Sequence, residues 1–454
     1  MAVQAPLSRS RSEDARTAAD FRRSVTSPGI TPDDRFDTWW AERSAAGSFA
    51  VERVALHELR GWHEHPVTGD IRHDSGKFFQ IGGLAVETDH GPVPRWAQPI
   101  INQPEIGVLG ILAKKIDGVL HCLMQAKMEP GNVNLVQLSP TVQATRSNYT
   151  RVHGGAQIRY LEYFTGAVSG KVLVDSIQSE QGSWFYRKRN RNIVIETDED
   201  VPVHEDFLWL TVGQIVDLLR RDDLVNMDAR TVLACMPIST TGGGALHTTG
   251  EVLSWLTGLR SRYAMTTTAI PLRDVGGWLR GEDEIYREDR KYFSIQAVSV
   301  RADTREVHGW TQPLLVPHHQ GVAAFLARRI EGRPHVLVQA RLEPGYVNGA
   351  ELAPTVQCMP ANYVHSPHRP PYLDQVLAAG PDRILFDTVL SEEGGRFYHA
   401  RNRYLVIEVP DDHPLTEPED YRWLTVDQLT ELVRHSHYVN VQARTLLACL
   451  HSLW

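Results

Sequence analysis

An internal repeat constrains the fold of this chain more than any other feature of its sequence. Glu129–Gln143 and Glu343–Gln357 lie 214 residues apart and are identical at ten of fifteen positions. Near the end of each copy, Val225–Cys235 and Val439–Cys449 are identical at eight of eleven positions, at the same spacing. Solenoid repeats are only about 20–50 residues long, so this spacing indicates duplication of a whole domain.

The repeat divides the 454 residues into two units of about 200 residues each, a size that can bury its own core. We place the first unit at residues 36–236 and the second at 252–454. The joining segment, 237–251, contains three consecutive glycines and has the composition of a linker. Residues 1–35 are rich in Arg, Ser and Ala, and we expect them to form a disordered tail.

Hydrophobic patterns in the second unit predict more strands than helices. The predicted strands are 292–300, 306–315, 321–330, 335–342, 384–390 and 404–409, with a hairpin turn at Glu331-Gly332. The predicted helices are 251–262, 372–378, 425–434 and 441–450. Strands with helices inserted and appended favour an α+β fold with a mixed sheet in each unit.

Composition excludes several classes of protein. The formal net charge of −8 gives no basic surface for nucleic acid. The four cysteines form no C-x-x-C pair and have no zinc spacing, which favours a reducing, cytoplasmic environment. No apolar run approaches the roughly 18 residues that a membrane span needs.

The stretch Asp387–His399 concentrates side chains suited to acid–base chemistry between two predicted strands. It reads DTVLSEEGGRFYH, and its copy, Asp175–Arg187, reads DSIQSEQGSWFYR. Glycines allow a ligand to approach closely, arginine can bind phosphate, and carboxylate, tyrosine or histidine can act as base or acid. The residues of interest are Glu392, Glu393, Gly394, Gly395, Arg396, Tyr398 and His399.

Comparison of the two copies separates shared positions from variable ones. Both copies keep one glutamate, one glycine and the Phe-Tyr pair, which therefore fit a structural role. The first copy has Gln181, Ser183, Trp184 and Arg187 where the second has Glu393, Gly395, Arg396 and His399. We expect activity to depend on the variable set, and the second copy to be the catalytic one.

Further polar and aromatic residues lie at predicted strand ends beside Pro and Gly, or within the last predicted helix, and suit a small-molecule site. In the second copy they are Trp310, Gln312, Arg341, Glu343, Asn348, Thr355, Gln357 and Arg444. In the first copy, the residues of a second, related pocket are Trp96, Gln98, Lys127, Glu129, Asn134, Thr141, Gln143, Tyr186 and Arg230. Structural roles remain open for the members of both sets: tryptophans can pack in the core, asparagine and threonine can form turns, and Arg444 can pair with a carboxylate such as Glu408.

Several cofactor and catalytic motifs are absent from the sequence. It contains no G-x-x-x-x-G-K-[ST], no G-x-G-x-x-G after a strand, no G-x-S-x-G and no H-E-x-x-H. We therefore expect no P-loop, no nucleotide redox cofactor and no metal.

Taken together, these motifs resemble those of the NDP-hexose 2,3-dehydratases of bacterial deoxysugar biosynthesis. The resemblance rests on W-x-Q-P, E-P-G-x-V-N, P-T-V-Q, S-E-E-G-G-R-F-Y-H and V-N-V-Q-A-R-T-L-L-A-C, in order, and covers the chain from about Phe36 onward. It implies a homodimer whose subunits contain two Nudix-like domains, the C-terminal one active and the N-terminal one holding a vestigial nucleotide pocket. Neither copy contains the Nudix metal-binding box, so Mg²⁺-dependent pyrophosphate hydrolysis is not expected.

The resemblance further implies a dTDP-4-keto-6-deoxyhexose substrate and a downstream 3-ketoreductase. A base would remove the C3 proton, the 4-keto group would hold the charge as an enolate, and the C2 hydroxyl would leave with acid assistance. Either Glu392 or Glu393 is the expected base, and Tyr398 or His399 the acid or oxyanion donor. Arg341, Arg396 and Arg444 are candidates for the diphosphate, and Trp310 for the thymine or sugar face. The alternatives are a Nudix-type nucleotide-sugar hydrolase and a non-catalytic nucleotide-sugar-binding protein.

Overall fold

The computed structural model describes residues 11–46, 49–145, 158–238, 244–302 and 309–453. In these ranges the chain folds into two α+β repeats, as the sequence predicts. Each repeat has a seven-stranded mixed sheet, and a smaller, mainly antiparallel sheet lies beside it. None of the helices in the described ranges is long and apolar enough to cross a membrane.

The elements of the first repeat follow one another in the same order as those of the second. Its strands are β1 (Phe49–Val54), β2 (Trp62–Glu64), β3 (Ile71–His73), β4 (Gln80–Thr88), β5 (Arg95–Asn102), β6 (Gly107–Ile116), β7 (Val119–Met128), β8 (Val136–Ser139), β9 (Val142–Ala144), β10 (Lys171–Ser179), β11 (Phe185–Tyr186), β12 (Arg189–Glu196) and β13 (Phe207–Thr211). Its helices are Arg11–Thr26, Asp33–Ala45, Leu161–Thr165, Val212–Leu218 and Met227–Ala234.

The second repeat matches the predicted pattern closely. Its strands are β14 (Met265–Ile270), β15 (Trp278–Arg280), β16 (Glu284–Arg287), β17 (Phe293–Ala302), β18 (Gly309–Pro317), β19 (Gly321–Ile330), β20 (Arg333–Leu342), β21 (Ala350–Ala353), β22 (Val356–Cys358), β23 (Ile384–Ser391), β24 (Arg401–Glu408) and β25 (Tyr421–Thr425). Its helices are Thr249–Arg262, Leu373–Leu377, Val426–Leu432 and Val441–Leu450. The predicted hairpin turn is confirmed, since Glu331 and Gly332 both have positive φ, at 50° and 78°.

The N-terminal segment departs from the expectation of disorder through residue 35. Arg11–Thr26 forms a helix. Phe21 on this helix is fully buried, and the Ser24 hydroxyl donates to the carbonyl of Leu120 (2.6 Å) and accepts from the N–H of Val212 (2.9 Å). The polar composition of this segment did not predict a helix. A single apolar face, packed against the first repeat, is nevertheless enough to order it.

The two repeats exchange their first strands. Strand β1 of the first repeat pairs antiparallel with β17 of the second, from Phe49 opposite Ala302 to Val54 opposite Ala297. Strand β14 of the second repeat pairs in the same way with β4 of the first. Each smaller sheet is therefore built from both repeats, and the sequence boundary at 237–251 does not separate two independent bodies.

Two buried arginines, one on helix Met227–Ala234 and one on helix Val441–Leu450, link the repeats through hydrogen bonds. The guanidinium of Arg230 donates to the hydroxyl of Thr445 (3.2 Å) and to the carbonyl of Ser391 (2.5 Å). Arg444 makes the mirrored bonds to Thr231 (2.6 Å) and to the carbonyl of Ser179 in the first repeat (2.6 Å). These bonds place the end of β23 and the end of β10 symmetrically about the helix pair.

Glycine allows two loops to meet where the repeats face each other. The N–H of Gly131 donates to the carbonyl of Gly394 (2.7 Å), and its carbonyl accepts from the N–H of His399 (2.7 Å). Gly345 makes the equivalent two bonds to residues 182–187 of the first repeat. We call 129–131 and 393–399, together with Glu180, the first loop pair, and 343–345 and 181–187, together with Glu392, the second loop pair.

Glu351 breaks the symmetry of this inter-repeat contact. It is fully buried, and its Oε2 accepts from the hydroxyl of Ser179 (2.6 Å). Among the described residues its Oε1 has no hydrogen-bond partner, and His437 Nδ1 lies 3.9 Å away. Burial raises the pKa of Glu351 to about 7. Its counterpart in the first repeat is the neutral Gln137, which accepts from Ser391 (2.7 Å).

We predict that Glu351→Gln stabilises the protein at pH 8. A carboxyl whose pKa is raised in the folded state contributes stability below its unfolded pKa, near 4.5, and loses it as pH rises through about 7. The free energy of unfolding of the wild type should therefore fall by about 1–3 kcal/mol between pH 5 and pH 8. Urea unfolding at both pH values should show a smaller fall in the variant. The matched control, Gln137→Glu, should become less stable at pH 8, and equal pH dependence in all three proteins would contradict this interpretation.

Candidate active site

A cavity of about 1110 Å³ opens beside the first loop pair. Both repeats contribute to its walls. The second repeat supplies Trp310, Thr311, Gln312, Glu393, Gly395 and Arg396. Charged side chains from the first repeat include Arg60, Lys127, Glu129, Glu180, Lys188 and Asp228. The cavity therefore combines the E-P-G loop of one repeat with the E-E-G-G-R loop of the other.

Glu129 lies at the end of β7 and is held by two neighbours on the same repeat. Its Oε1 accepts from Gln143 Nε2 (2.7 Å) and lies 3.9 Å from Lys127 Nζ. The Thr141 hydroxyl instead accepts from the N–H of Leu112 (2.8 Å) and donates to a backbone carbonyl. The cavity therefore receives polar groups from Glu129, Lys127 and Gln143, whereas the Thr141 hydroxyl hydrogen-bonds to the backbone of two strands.

Glu393 is only loosely held. Its Oε1 accepts from the N–H of Gly395 (3.1 Å), and no described residue hydrogen-bonds to its Oε2. Burial raises the pKa of Glu393 to about 7; the charges of Glu129 and Glu180 act in the same direction, and Arg396 opposes them. A carboxylate with this pKa can accept a proton at neutral pH.

Lys188 lies on the wall of the same cavity. The side chain is 6% exposed, and its ammonium donates to the carbonyl of Glu105. Burial lowers the pKa of Lys188 to about 8; Glu180 opposes this shift and Arg396 adds to it. Asn190 donates to Glu180 Oε1 (2.6 Å), so Glu180 has both a hydrogen-bond donor and a nearby cation.

Asp228 occupies the first turn of helix Met227–Ala234 and is 3% exposed. Its Oδ1 is buried and has no hydrogen-bond partner among the described residues. Burial raises the pKa of Asp228 well above its ordinary value, and Glu180, Glu129 and Glu393 raise it further. The carboxyl group of Asp228 therefore tends to keep its proton.

Arg396 is positioned by an aromatic ring and two acceptors. Its guanidinium lies over Phe79, 4.7 Å from the ring centroid. Nε donates to Gln103 Oε1 (3.2 Å) and Nη1 to the carbonyl of Gly395 (2.9 Å). Gln312 Nε2 donates to the same carbonyl (2.8 Å), which ties this loop to β18.

The second loop pair lacks most of this charge. Aligning the repeats pairs Glu393 with Gln181, Asp228 with Gln442, Lys188 with Ala400, Arg396 with Trp184 and Asn132 with Tyr346. Only the counterparts of Glu129, Glu180 and Lys127 keep their charge, as Glu343, Glu392 and Arg341. Across these eight aligned positions, the site at the first loop pair has four carboxyls and three cations, whereas the site at the second has two carboxyls and one cation.

The two remaining carboxylates of the second loop pair are fully engaged. Glu392 accepts hydrogen bonds from Gln181, Asn402 and Tyr404, each at 2.6 Å. Glu343 accepts from Arg341 Nε (2.9 Å), from Gln357 and from the N–H of Ser183. Hydrogen bonding of this kind holds both carboxylates in place within the structure.

The structure divides the predicted site residues in an unexpected way. The cavity brings together Trp310, Gln312, Glu393, Gly395 and Arg396 from the second repeat with Lys127, Glu129, Thr141 and Gln143 from the first. The residues placed outside its lining are Glu392, Gly394, Tyr398, His399, Arg341, Glu343, Asn348, Thr355, Gln357, Arg444, Trp96, Gln98, Asn134, Tyr186 and Arg230. Residues expected in one pocket of the second repeat therefore lie in different places, because each loop pair draws on both repeats.

Several of the residues outside the cavity have evident structural contacts. Tyr398 stacks on His399 at a centroid distance of 3.9 Å, and the guanidinium of Arg53 lies over the Tyr398 ring, 5.3 Å from its centroid. Arg444 is fully buried and donates to the backbone carbonyls of Val439 and Ser179, the latter in the first repeat, rather than to Glu408, the structural partner left open by the sequence. Asn348 and Asn134 are exposed.

Asp228, Lys188 and Glu180 were not among the predicted site residues. Asp228 and Lys188 differ in charge from Gln442 and Ala400, just as Glu393 differs from Gln181. A residue-by-residue comparison of charge between the repeats, continued beyond the glycine-rich loop, would have found both. Glu180 is the glutamate that both copies keep, and a charge comparison between the repeats does not distinguish it from Glu392. In the described ranges no three His, Cys, Asp or Glu side chains are grouped as metal ligands.

Comparison with known proteins agrees with the duplicated architecture. The profile of the NDP-hexose 2,3-dehydratase family matches residues 33–236 and again residues 249–450. A protein of Saccharopolyspora spinosa named dTDP-4-dehydro-6-deoxy-alpha-D-glucopyranose 2,3-dehydratase is 51% identical over 94% of this chain and 93% of its own length. Proteins of the same name from Streptomyces violaceoruber and Amycolatopsis orientalis are each 53% identical, over 93% and 91% of this chain and 98% and 89% of their own lengths. The chain therefore belongs to the NDP-hexose 2,3-dehydratase family.

Proposed function

We propose that this chain is a dTDP-4-keto-6-deoxy-D-glucose 2,3-dehydratase whose active site is the cavity at the first loop pair. The observation that carries the reaction is the identity of 51–53%, over nearly the whole chain, to relatives that bear this name. The observation that carries the location is the concentration of carboxyls and cations at one loop pair only. The enzyme is thus a lyase that releases water from a nucleotide sugar.

The reaction needs a base and a place for negative charge. Removal of the C3 proton sends the C3–H electron pair toward the 4-keto oxygen and gives an enolate. The enolate re-forms the carbonyl as the C2–O bond breaks, and the C2 hydroxyl leaves as water after taking up a proton. The resulting enol tautomerises to a 3,4-diketo-2,6-dideoxy sugar.

Glu393, and not Glu392, is our candidate for the base. Both were open from the sequence. Glu393 faces the cavity with one free carboxylate oxygen, whereas Glu392 lies outside it with three hydrogen bonds at 2.6 Å. A pKa of about 7 allows Glu393 to accept a proton from an acidified C3 position and to release it again.

The cations of the cavity suit the negative charges of substrate and intermediate. We assign Lys188, the most buried of them, to the enolate oxygen, because a positive charge away from bulk water stabilises a developing anion strongly. Arg396, Lys127 and Arg60 are the candidates for the diphosphate, and Trp310 for the thymine or sugar face. Arg341 and Arg444, also candidates from the sequence, lie outside the cavity and are bonded elsewhere.

Three further expectations belong to the same proposal. A diketo sugar nucleotide is reactive, so we expect a 3-ketoreductase to consume it directly. We also propose that the protein is a homodimer and acts in the cytoplasm. In this proposal the first repeat does not hold a separate vestigial pocket, because it supplies most of the wall of the active-site cavity.

The activity is tested by incubating the protein with dTDP-4-keto-6-deoxyglucose and a reductase that traps the product. Mass spectrometry should show a product that has lost one water, with the dTDP group retained. Release of a sugar phosphate would instead support a Nudix-type hydrolase, and tight binding without turnover would support a nucleotide-sugar-binding protein.

We predict that Glu393→Gln, which copies Gln181 of the first repeat, lowers kcat by about 100- to 10,000-fold, because it removes the base. Exchange of the C3 proton with solvent deuterium, followed by NMR, should be lost in parallel. The matched control is Glu392→Gln, which should retain kcat within about threefold while lowering the melting temperature. If Glu392→Gln lost activity while Glu393→Gln retained it, the base would be Glu392 and not Glu393.

The pH dependence of kcat/KM should be bell-shaped and narrow. Activity should rise as Glu393 ionises near pH 7 and fall as Lys188 loses its proton near pH 8. Lys188→Arg should move the alkaline limb to higher pH, because guanidinium stays protonated. Lys188→Ala, which copies Ala400, should lose most activity at every pH. An unchanged alkaline limb in Lys188→Arg would exclude Lys188 as its source.

A further inference from the structure

We propose that Asp228 is the general acid that delivers a proton to the departing C2 hydroxyl. This assignment rests on the proposed dehydratase function and extends it to a residue of the first repeat. It makes catalysis a joint property of the repeats, with the base on the second and the acid on the first.

The comparison of the two loop pairs singles out two carboxyl groups. Glu129 and Glu180 have carboxylate counterparts in the second loop pair, and each accepts a short hydrogen bond, from Gln143 (2.7 Å) and from Asn190 (2.6 Å). Glu393 and Asp228 have amide counterparts, Gln181 and Gln442. The reaction needs one base and one acid, and the active loop pair has two carboxyls that the other lacks.

The surroundings of Asp228 favour the acid role over the base role. It is more deeply buried than Glu393, and no described residue donates a hydrogen bond to its Oδ1. The charges of Glu129, Glu180 and Glu393 disfavour ionisation of Asp228, while Lys127 opposes them more weakly. Burial also raises the pKa of Asp228, so this residue enters the reaction as a neutral carboxyl that can donate its proton.

The proton balance of the reaction closes with these two groups. Glu393 takes the C3 proton, and the C3–H electron pair forms the enolate. The enolate electrons then form the C2–C3 double bond as the C2–O bond breaks, and the Asp228 proton goes to the leaving oxygen. Water departs with Asp228 ionised and Glu393 protonated, and transfer of the proton from Glu393 to Asp228 restores the starting state.

The acids expected from the sequence are less suited to this step. Tyr398 and His399 stack on each other outside the cavity lining. His399 is exposed, and its N–H and that of Tyr398 bond to backbone carbonyls of Gly131 and Leu315. Asp228, by contrast, lines the cavity that holds Glu393.

A substrate whose leaving group needs no proton separates acid catalysis from other roles. The probe is the 2-fluoro analogue of dTDP-4-keto-6-deoxyglucose, from which fluoride departs unassisted to give the same enol. Wild-type enzyme should convert both substrates. Asp228→Asn should convert the natural substrate about 100-fold or more slowly, yet convert the fluoro analogue within about threefold of wild type. Glu393→Gln should fail on both, because the C3 proton must be removed in either case.

The other outcomes each decide a separate question. The Asp228→Gln variant, which copies Gln442, is tested beside Asp228→Asn. If both variants lost activity equally on the two substrates, Asp228 would have a structural role and the proposal would be overturned. Full activity of either variant on the natural substrate would also overturn it. If wild-type enzyme released neither water nor fluoride, the dehydratase function itself would fall, and with it the assignment of Asp228. Thermal melting of each variant shows whether it is folded.

Discussion

The close approach of two glycine loops is the contact on which the rest of this structure depends. Gly131 hydrogen-bonds through both its N–H and its carbonyl to residues 394–399 of the other repeat. A Cβ at this position would lie 1.8 Å from the carbonyl oxygen of Phe397, so only glycine fits. A Cβ on Gly345 would likewise lie 1.8 Å from the carbonyl oxygen of Phe185. These contacts bring Glu129 and Glu393, from different repeats, to one cavity.

Strand exchange and the buried arginine pair make this contact rigid. Because β1 and β14 each complete a sheet of the other repeat, the loops cannot separate without disrupting both smaller sheets. Arg230 and Arg444 fix the strand ends from which the glutamate loops begin. A symmetric scaffold of this kind holds two equivalent loop pairs, and the side chains alone decide which pair carries catalytic charge.

Much of the fold could be predicted from the sequence, because local patterns determine it. The helix Val441–Leu450 and the hairpin at Glu331 follow from periodicity and turn residues, and the α+β class follows from their order. The exchange of strands could not be predicted, since β1 carries the same alternating pattern whichever repeat it joins. The helix Arg11–Thr26 was missed because its order comes from packing against another element.

Local sequence patterns could also predict part of the candidate site. Glu393, Arg396 and Trp310 carry unusual chemistry in their own sequence context, so a search along the chain finds them. Asp228 and Lys188 look ordinary in their sequence context, the first within a helix and the second beside a strand. Burial shifts the pKa of both, and Glu180 adds to the shift of Asp228 and opposes that of Lys188. Arg341 and Glu343 were expected in one pocket with Glu393 because each repeat was assumed to build its own site. In the structure both lie outside the cavity that Glu393 lines.

The central claim is that the sugar binds between the E-P-G loop of the first repeat and the E-E-G-G-R loop of the second. A crystal structure of the Glu393→Gln variant with dTDP-4-keto-6-deoxyglucose tests it most directly. We predict the hexose at the first loop pair, with its C2 and C3 atoms facing Asp228 and position 393. Hexose density at the second loop pair, beside Arg341 and Glu343, with the first cavity empty, would contradict the account.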